Sequence, residues 1–551
     1  MDFEYIVNGK RVSLPVNPNK IAVRFSESAD QAIRRAAIDP KPEVGDFDDR
    51  LEVPHEKLTI IDVSQPDQPT SHPLTAAADA LNADATVERV SPVFDLGSTQ
   101  VVVTDRILVG FKPETGTKAV EIIQDSGGEI LEADEDEYVV RINPAMSPFD
   151  AIAKLSQRAE VDYAEPDFIT IGQHTPRKGD SGKTGGGLSK NALPPTQAAP
   201  GQASTPTAYR HEATSGVAEP LAAAGPDPLQ RFQYALKITR AAEAWTRVTV
   251  SKNIKIAVLD EGVDVSHPDL ASAIVGGYDA TDEDANQQPQ PWDAHGTACA
   301  GLAAAIPSNG LGIRGTGGGS SILAIRIAYS PRKDADWVST SSGIRKAIDW
   351  AWQNGADILS NSWGGGAPSG AITNAFERAR TRGRNGKGCV IVVAAGNAAG
   401  PVEFPGSLPN VLTIAASNEY DQPKTRTSRD GESWWGSCFG PEVDLAAPGV
   451  HNYTTDISGT NGYNAGGKLD NNYVADFNGT SSSTPLVAGI CALVLSANPT
   501  LREAQVRQLL KQTADRVGGV VYKNGHNHQM GHGRINALRA VEMALAGSPL
   551  V

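Results

Sequence analysis

From residue 227 onward the sequence alternates short β-rich apolar runs with segments whose apolar residues recur at helical spacing, which leaves few architectures open. Residues 254–259, 322–327, 357–359 and 389–394 read as strands. Between them, Ile344, Ala347, Ile348 and Ala351 share one helical face, as do Ile372, Ala375, Phe376 and Ala379. Strands that alternate with helices pair in parallel and are covered on both faces, because each connection must cross back over the sheet. The expected fold is α/β, a doubly wound parallel sheet with its sites at the strand ends.

At 551 residues the chain exceeds one domain. Residues 1–100 and 101–172 read as two similar small α+β units in tandem. Residues 21–25 echo 107–111, residues 58–63 echo 138–142, and residues 87–94 echo 161–168, with Pro92 opposite Pro166. Each unit reads strand, helix, strand, helix, strand; in the second, the helices are expected at 117–125 and 148–159. Residues 173–225 are rich in Gly, Ser, Pro, Ala and Thr and lack the large apolar groups that would repay ordering, so they read as a flexible linker. Residues 226–551 remain for the α/β domain.

Of the 64 acidic and 49 basic residues, residues 1–172 hold 32 and 16, leaving 32 and 33 for the rest. The net charge of −15 therefore belongs to the N-terminal third, and it reads as a solvated acidic surface. It argues against nucleic acid and anionic membranes as partners, since both need clustered Lys and Arg. The N-terminus has acidic residues where a secretory leader is basic, and no apolar run reaches the ~18 residues of a membrane span, so a cytoplasmic location is expected. Cys299, Cys389, Cys438 and Cys491 have neither the density of a disulfide scaffold nor zinc-site spacing, and read as thiols.

Four segments carry chemistry. The strand at 254–259 delivers Asp260 at its C-terminal end, where a carboxylate can orient a histidine. His295 opens a run of small residues, His-Gly-Thr-Ala-Cys-Ala-Gly, that can pack as a buried helix. Ser481, in Asn-Gly-Thr-Ser-Ser-Ser-Thr-Pro, stands at the start of another, where exposed amides favour negative charge; Pro485 fits a first turn. Asn397 follows a buried strand and a glycine, and its amide can donate to an oxyanion.

Together, in this order and context, these segments resemble the subtilisin-like serine proteases, strongly over 227–546 and moderately over 104–172. The resemblance implies a serine endopeptidase in which Ser481 attacks the scissile carbonyl, His295 moves the proton, Asp260 holds the imidazole, and Asn397 completes the oxyanion hole. It implies a polypeptide substrate held along 361–365, with Ser362, Trp363 and Gly364 at its backbone. Glu403 falls where such enzymes line the primary specificity pocket, which would favour Lys or Arg before the cut. Cys299 falls one helical turn after His295, beneath it, and implies sensitivity to mercurials. Asp227, Asp269 and Asn309 resemble parts of a calcium site.

Residues 161–168 resemble the last strand of an inhibitory propeptide, so the chain's own N-terminal region is an expected partner and the enzyme a latent zymogen. The unit at 1–100 departs from the single propeptide usual in relatives. A catalytically silent binding protein on the same fold is the alternative. Ser481 lacks the Gly-x-Ser-x-Gly elbow of lipases, and 315–319 lacks the Gly-Lys-Ser/Thr ending of a phosphate loop. His526, His528 and His532 invite a metal reading, but residues 531–537 resemble the turn and helix that close the family's domain, which argues against it.

Overall fold

The computed structural model describes residues 3–172, apart from 8, 27, 46–50, 65–72 and 144–145, and residues 226–547, apart from 465–470. The linker expected at 173–225 lies outside the described residues.

The N-terminal region opens with β1 (Phe3–Val7), β2 (Lys10–Leu14), β3 (Val16–Phe25), α1 (Gln31–Ile38), β4 (Leu51–Val53), β5 (Leu58–Asp62), α2 (Pro73–Asn82) and β6 (Val87–Leu96). It continues with β7 (Thr99–Phe111), α3 (Lys118–Asp125), β8 (Gly128–Asp134), β9 (Glu137–Ile142), α4 (Pro148–Leu155) and β10 (Val161–Gly172). The two strands aligned in the sequence have matching partners. Ile21 faces Ile61 and Pro92 on its two sides, and Ile107 faces Val140 and Pro166 in the same register. The first unit carries three more strands than expected, β1 and β2 before the repeat and β4 beside β5, and the second carries one more, β8 beside β9.

The units share one sheet, of order β2-β1-β10-β7-β6-β3-β5-β4, with β9 beside β7 and β8 beside β9. The boundary expected at 100–101 falls inside β7. The first half of this strand pairs with β6 and the second half with β9, while β10 runs along its other side. Val101, Val102, Ile107 and Val109 are buried along it, and Tyr5 and Phe94 share one core with Val109 and Phe168, while the first unit keeps a second core of its own around Ile21, Phe25, Ile38 and Leu81.

The C-terminal region begins with short helices α5 (Tyr234–Ile238) and α6 (Ala241–Ala244). Then come β11 (Lys255–Asp260), β12 (Ile274–Asp279), α7 (His295–Ala304), β13 (Ser321–Arg326), β14 (Trp337–Thr340), α8 (Ser341–Gln353), β15 (Ile358–Asn361), α9 (Gly370–Gly386) and β16 (Val390–Ala394). The chain ends with β17 (Leu412–Ser417), β18 (Leu445–Pro448), β19 (Asn452–Thr455), β20 (Tyr473–Phe477), α10 (Thr480–Ala497), α11 (Glu503–Thr513) and α12 (Ala537–Ala546).

Seven of these strands form the expected parallel sheet, in the order β12-β13-β11-β15-β16-β17-β18. Strands after β11 are laid down on one side and then on the other, so the chain reverses direction across the sheet between β11 and β15. That switch point opens a crevice at the strand C-termini. By length and mean composition α10 is apolar enough to cross a membrane, although its first five residues are Thr and Ser and its apolar run is shorter than the ~18 residues of a span. It is 89% buried, because the sheet and neighbouring helices surround it.

Strand β14 leaves the parallel sheet and adds antiparallel to β10, with Ile169 opposite Thr340 and Gly172 opposite Trp337. Two carboxylates of β10 fasten this junction. Glu165 accepts from the Ser369 hydroxyl (2.5 Å) and the Gly370 and Ala371 amides (2.6 and 3.2 Å) at the start of α9. Asp167 accepts from the Ser342 amide (2.9 Å) and hydroxyl (2.8 Å) at the start of α8. Both helix ends thereby receive negative charge where their orphan amides want it. Burial pushes the Glu165 carboxyl up to about 7, against the three donors that favour its charge.

Part of the N-terminal acidity is interface rather than solvated surface. Glu132 pairs with Lys346, Glu137 with Arg378, and Glu135 with Arg382.

Candidate active site

Each chemical group sits at a strand end or a helix start of the sheet's C-terminal side. Asp260 is the last residue of β11 and His295 the first of α7, and Asp260 Oδ1 meets His295 Nδ1 at 2.7 Å. Gly296 makes this approach possible, since a Cβ there would strike the Gly262 carbonyl. Both residues are buried. Burial opposes a proton on the imidazole, but the Asp260 charge outweighs it and holds His295 well above its usual range.

Ser481 lies one residue inside α10, and Pro485 lies in the second turn of that helix rather than the first. Proline has no N–H, so the Ser481 carbonyl loses its helical partner. It accepts instead from the Ser362 hydroxyl (3.1 Å) and the Cys299 thiol (3.5 Å). The Ser481 hydroxyl donates to the Ser362 carbonyl at 3.0 Å. The expected hydrogen bond from Ser481 to His295 is not among those of the described residues; the backbone of the segment after β15 holds the hydroxyl instead.

Asn397 follows β16. Its Oδ1 accepts from the Thr480 amide (2.8 Å) and hydroxyl (3.0 Å), which leaves the side-chain NH₂ to face the cleft that Asn397 lines. Cys299 places its sulfur 3.8 Å from His295 Nδ1, and burial pushes its thiol up to about 11. All four cysteines are free and buried.

The cleft has a volume of about 670 Å³, and Asp260, His295, Ser481, Asn397, Ser362, Trp363, Gly364 and Glu403 all line it. Trp363 is half-buried, with its ring stacked on Phe376, so it serves both the core and the cleft wall. Glu403 is half-buried and accepts from Ser98 of the N-terminal region, a contact without a local signal in the sequence. The capping carboxylates Glu165 and Asp167 were equally unforeseen. Their one trace is the placement of two charges inside a run that reads as a buried strand.

Asp227, Asp269 and Asn309 also come together away from the cleft. Asn309 Nδ2 donates to Asp269 Oδ1 (2.7 Å), and the Ser308 and Asn309 amides donate to Asp227 (2.9 and 3.1 Å). Burial and the nearby Asp227 charge push Asp269 up to about 7. Asn309 turns its Nδ2 rather than its amide oxygen to Asp269, and its Oδ1 accepts from the Leu311 amide (2.9 Å), so the hard oxygen donors of the kind calcium takes are those of the two carboxylates. The imidazoles of His526, His528 and His532 instead meet as tilted and edge-on rings with centroids 5.3–6.0 Å apart, and His526 Nε2 lies 2.7 Å from the Val443 carbonyl.

The Subtilase family model matches residues 251–533, and the Fervidolysin N-terminal prodomain model matches residues 88–167. A calcium-dependent protease of Nostoc sp. is 36% identical over 348 residues, which cover 57% of this chain and 50% of that protein. The chain thus spans about half the length of that relative. Thermitase of Thermoactinomyces vulgaris is 33% identical over 311 residues, which cover 56% of this chain and 96% of thermitase.

Among solved structures, fervidolysin from Fervidobacterium pennivorans shares the fold, with a TM-score of 0.57 at 22% identity over 83% of this chain and 62% of that one. Because the family model takes in half of the chain and thermitase is matched almost end to end, the chain belongs to the subtilase family.

Proposed function

We propose that this chain is a serine endopeptidase made as a latent zymogen, with Ser481 as nucleophile, His295 as general base and acid, and Asp260 as the group that orients the imidazole. The observation that carries the reading is the convergence of Asp260, His295, Ser481 and Asn397 on one cleft at the C-terminal edge of the parallel sheet. With Nδ1–H donated to Asp260, the imidazole presents Nε2 as the base. For attack, the Ser481 hydroxyl leaves the Ser362 carbonyl and turns to His295. The proton it gives up makes an imidazolium that Asp260 stabilises. The tetrahedral oxyanion is met by the Asn397 NH₂ and by amides at the start of α10, already oriented before charge develops.

Ser362, Trp363 and Gly364 would hold the substrate backbone, and Glu403 would favour a Lys or Arg side chain before the cut. The sheet of residues 3–172 docks across the cleft region and supports the zymogen reading, as does the prodomain match. Asp227, Asp269 and Asn309 would hold a calcium ion. Its charge would neutralise two adjacent carboxylates and stiffen the loop after α7; the calcium-dependent proteases among the relatives support this assignment.

A serine-reactive fluorophosphonate tests the function. It is expected to label Ser481 in the wild-type chain and not in Ser481→Ala. A chain that never labels after release of its N-terminal region would be the silent binding protein instead.

A further inference from the structure

The turn between β6 and β7 enters the cleft. Ser98 and Thr99 line it together with His295, Ser481 and Glu403. The Ser98 amide donates to Glu403 Oε1 at 2.8 Å and the Ser98 hydroxyl to Oε2 at 2.7 Å, so one residue engages both carboxylate oxygens across 305 positions of sequence. Thr99 Oγ1 accepts from the Gly366 amide at 2.6 Å, just beyond the segment assigned to the substrate backbone. Gly97 turns the chain with φ +57°, and a Cβ on it would run into Glu403 Oε1. The close approach therefore requires glycine, both for the backbone conformation and for the space.

The turn is stiffly mounted. Thr99 pairs with Leu96 on one side and with Gly172 on the other, and β10 is anchored through Glu165 and Asp167 to the starts of α9 and α8. A hairpin tip held in this way cannot swing aside alone.

We infer that Gly97, Ser98 and Thr99 form a built-in plug of the specificity pocket, with Ser98 supplying to Glu403 the two donors that a basic substrate side chain would otherwise bring. The inference rests on reading Glu403 as the pocket base and Ser481 as the nucleophile. It gives the extra N-terminal unit a task, because β6, the last strand of that unit, forms half of the plugging hairpin. It also separates two events of activation. A cut anywhere in 173–225 leaves the plug in place, and the site opens only when the sheet of residues 3–172 departs.

The test follows the rate at which a fluorophosphonate labels Ser481 in the full-length chain. Wild type is compared with Ser98→Ala, which removes one donor to a charged acceptor, and with Gly97→Ala, which drives the turn off Glu403. Labelling about fivefold faster in Ser98→Ala, and faster still in Gly97→Ala, is expected. Thermal unfolding of Ser98→Ala, whose altered side chain is exposed, should stay at the wild-type value. Equal labelling in all three chains would overturn the plug while leaving the protease reading intact. No labelling in any of them, nor in wild-type chain cut in the linker and stripped of its N-terminal sheet, would overturn the protease reading and the plug with it.

Discussion

Asp260 Oδ1 and His295 Nδ1 stand 2.7 Å apart although 35 residues separate them, because the end of β11 and the start of α7 meet at the sheet's switch point. The charge of Asp260 keeps a proton on His295 to higher pH than a free histidine would, against the pull of burial. His295 is a base only when neutral, so activity is lost as pH falls through its raised pKa. The kcat/KM profile should rise with a midpoint above about 6.5. Asp260→Asn should lower that midpoint and reduce kcat by roughly 10⁴.

Asn397 is aimed by Thr480, whose amide and hydroxyl both hold its carbonyl oxygen. Asn397→Ala should cost about 10²–10³ in kcat with little change in KM, since the lost donor serves the transition state. Thr480→Val, which removes only the aiming hydroxyl, should fall between this variant and wild type in the same steady-state assay.

Cys299 lies under the imidazole and donates to the carbonyl of Ser481, so a bulky metal adduct on its sulfur displaces both. A saturating mercurial is expected to abolish activity, and Cys299→Ala should keep its activity under the same treatment. The neutral thiol, pushed up to about 11 by burial, should make the inactivation slow. Full wild-type activity after complete modification would defeat the prediction.

Glu403 should set the preference before the cut once the N-terminal sheet has left. Glu403→Gln is expected to lower kcat/KM for an arginine substrate at least tenfold relative to a leucine substrate, a difference of about 1.4 kcal/mol. Equal cleavage of the two substrates by the wild-type protease would remove Glu403 from the specificity pocket.

Calcium should stabilise the fold through Asp227, Asp269 and Asn309. At a free concentration about 100-fold above Kd the gain is ~2.7 kcal/mol, visible as a higher Tm in calorimetry and reversed by a chelator. Asp269→Asn should show little calcium-dependent shift.

The motif segments were legible because their local chemistry is demanding. A strand ending in Asp260, a histidine followed by small residues, and a serine opening an apolar helix each need particular neighbours within a few positions. The apolar periods of β11, β13, β15 and β16 likewise foretold the parallel sheet, with the observed strands within one residue of the expected bounds at most ends. The matching partners of Ile21 and Ile107 were legible, because a strand's alternate faces tie its sequence to its partners. Strands β4 and β8 were missed because they are short or acidic edge strands whose burial is partial, so they carry little apolar pattern.

By itself, then, the sequence determined the fold class and the family, since each is written in contacts between near neighbours or in a periodic pattern. Only the tertiary structure decided that β7 belongs to both repeats, that β14 joins the N-terminal sheet, that Ser481 rests on Ser362 and that Ser98 occupies Glu403. Those relationships join residues up to 305 positions apart, and they depend on where whole sheets pack, which no local run of side chains encodes.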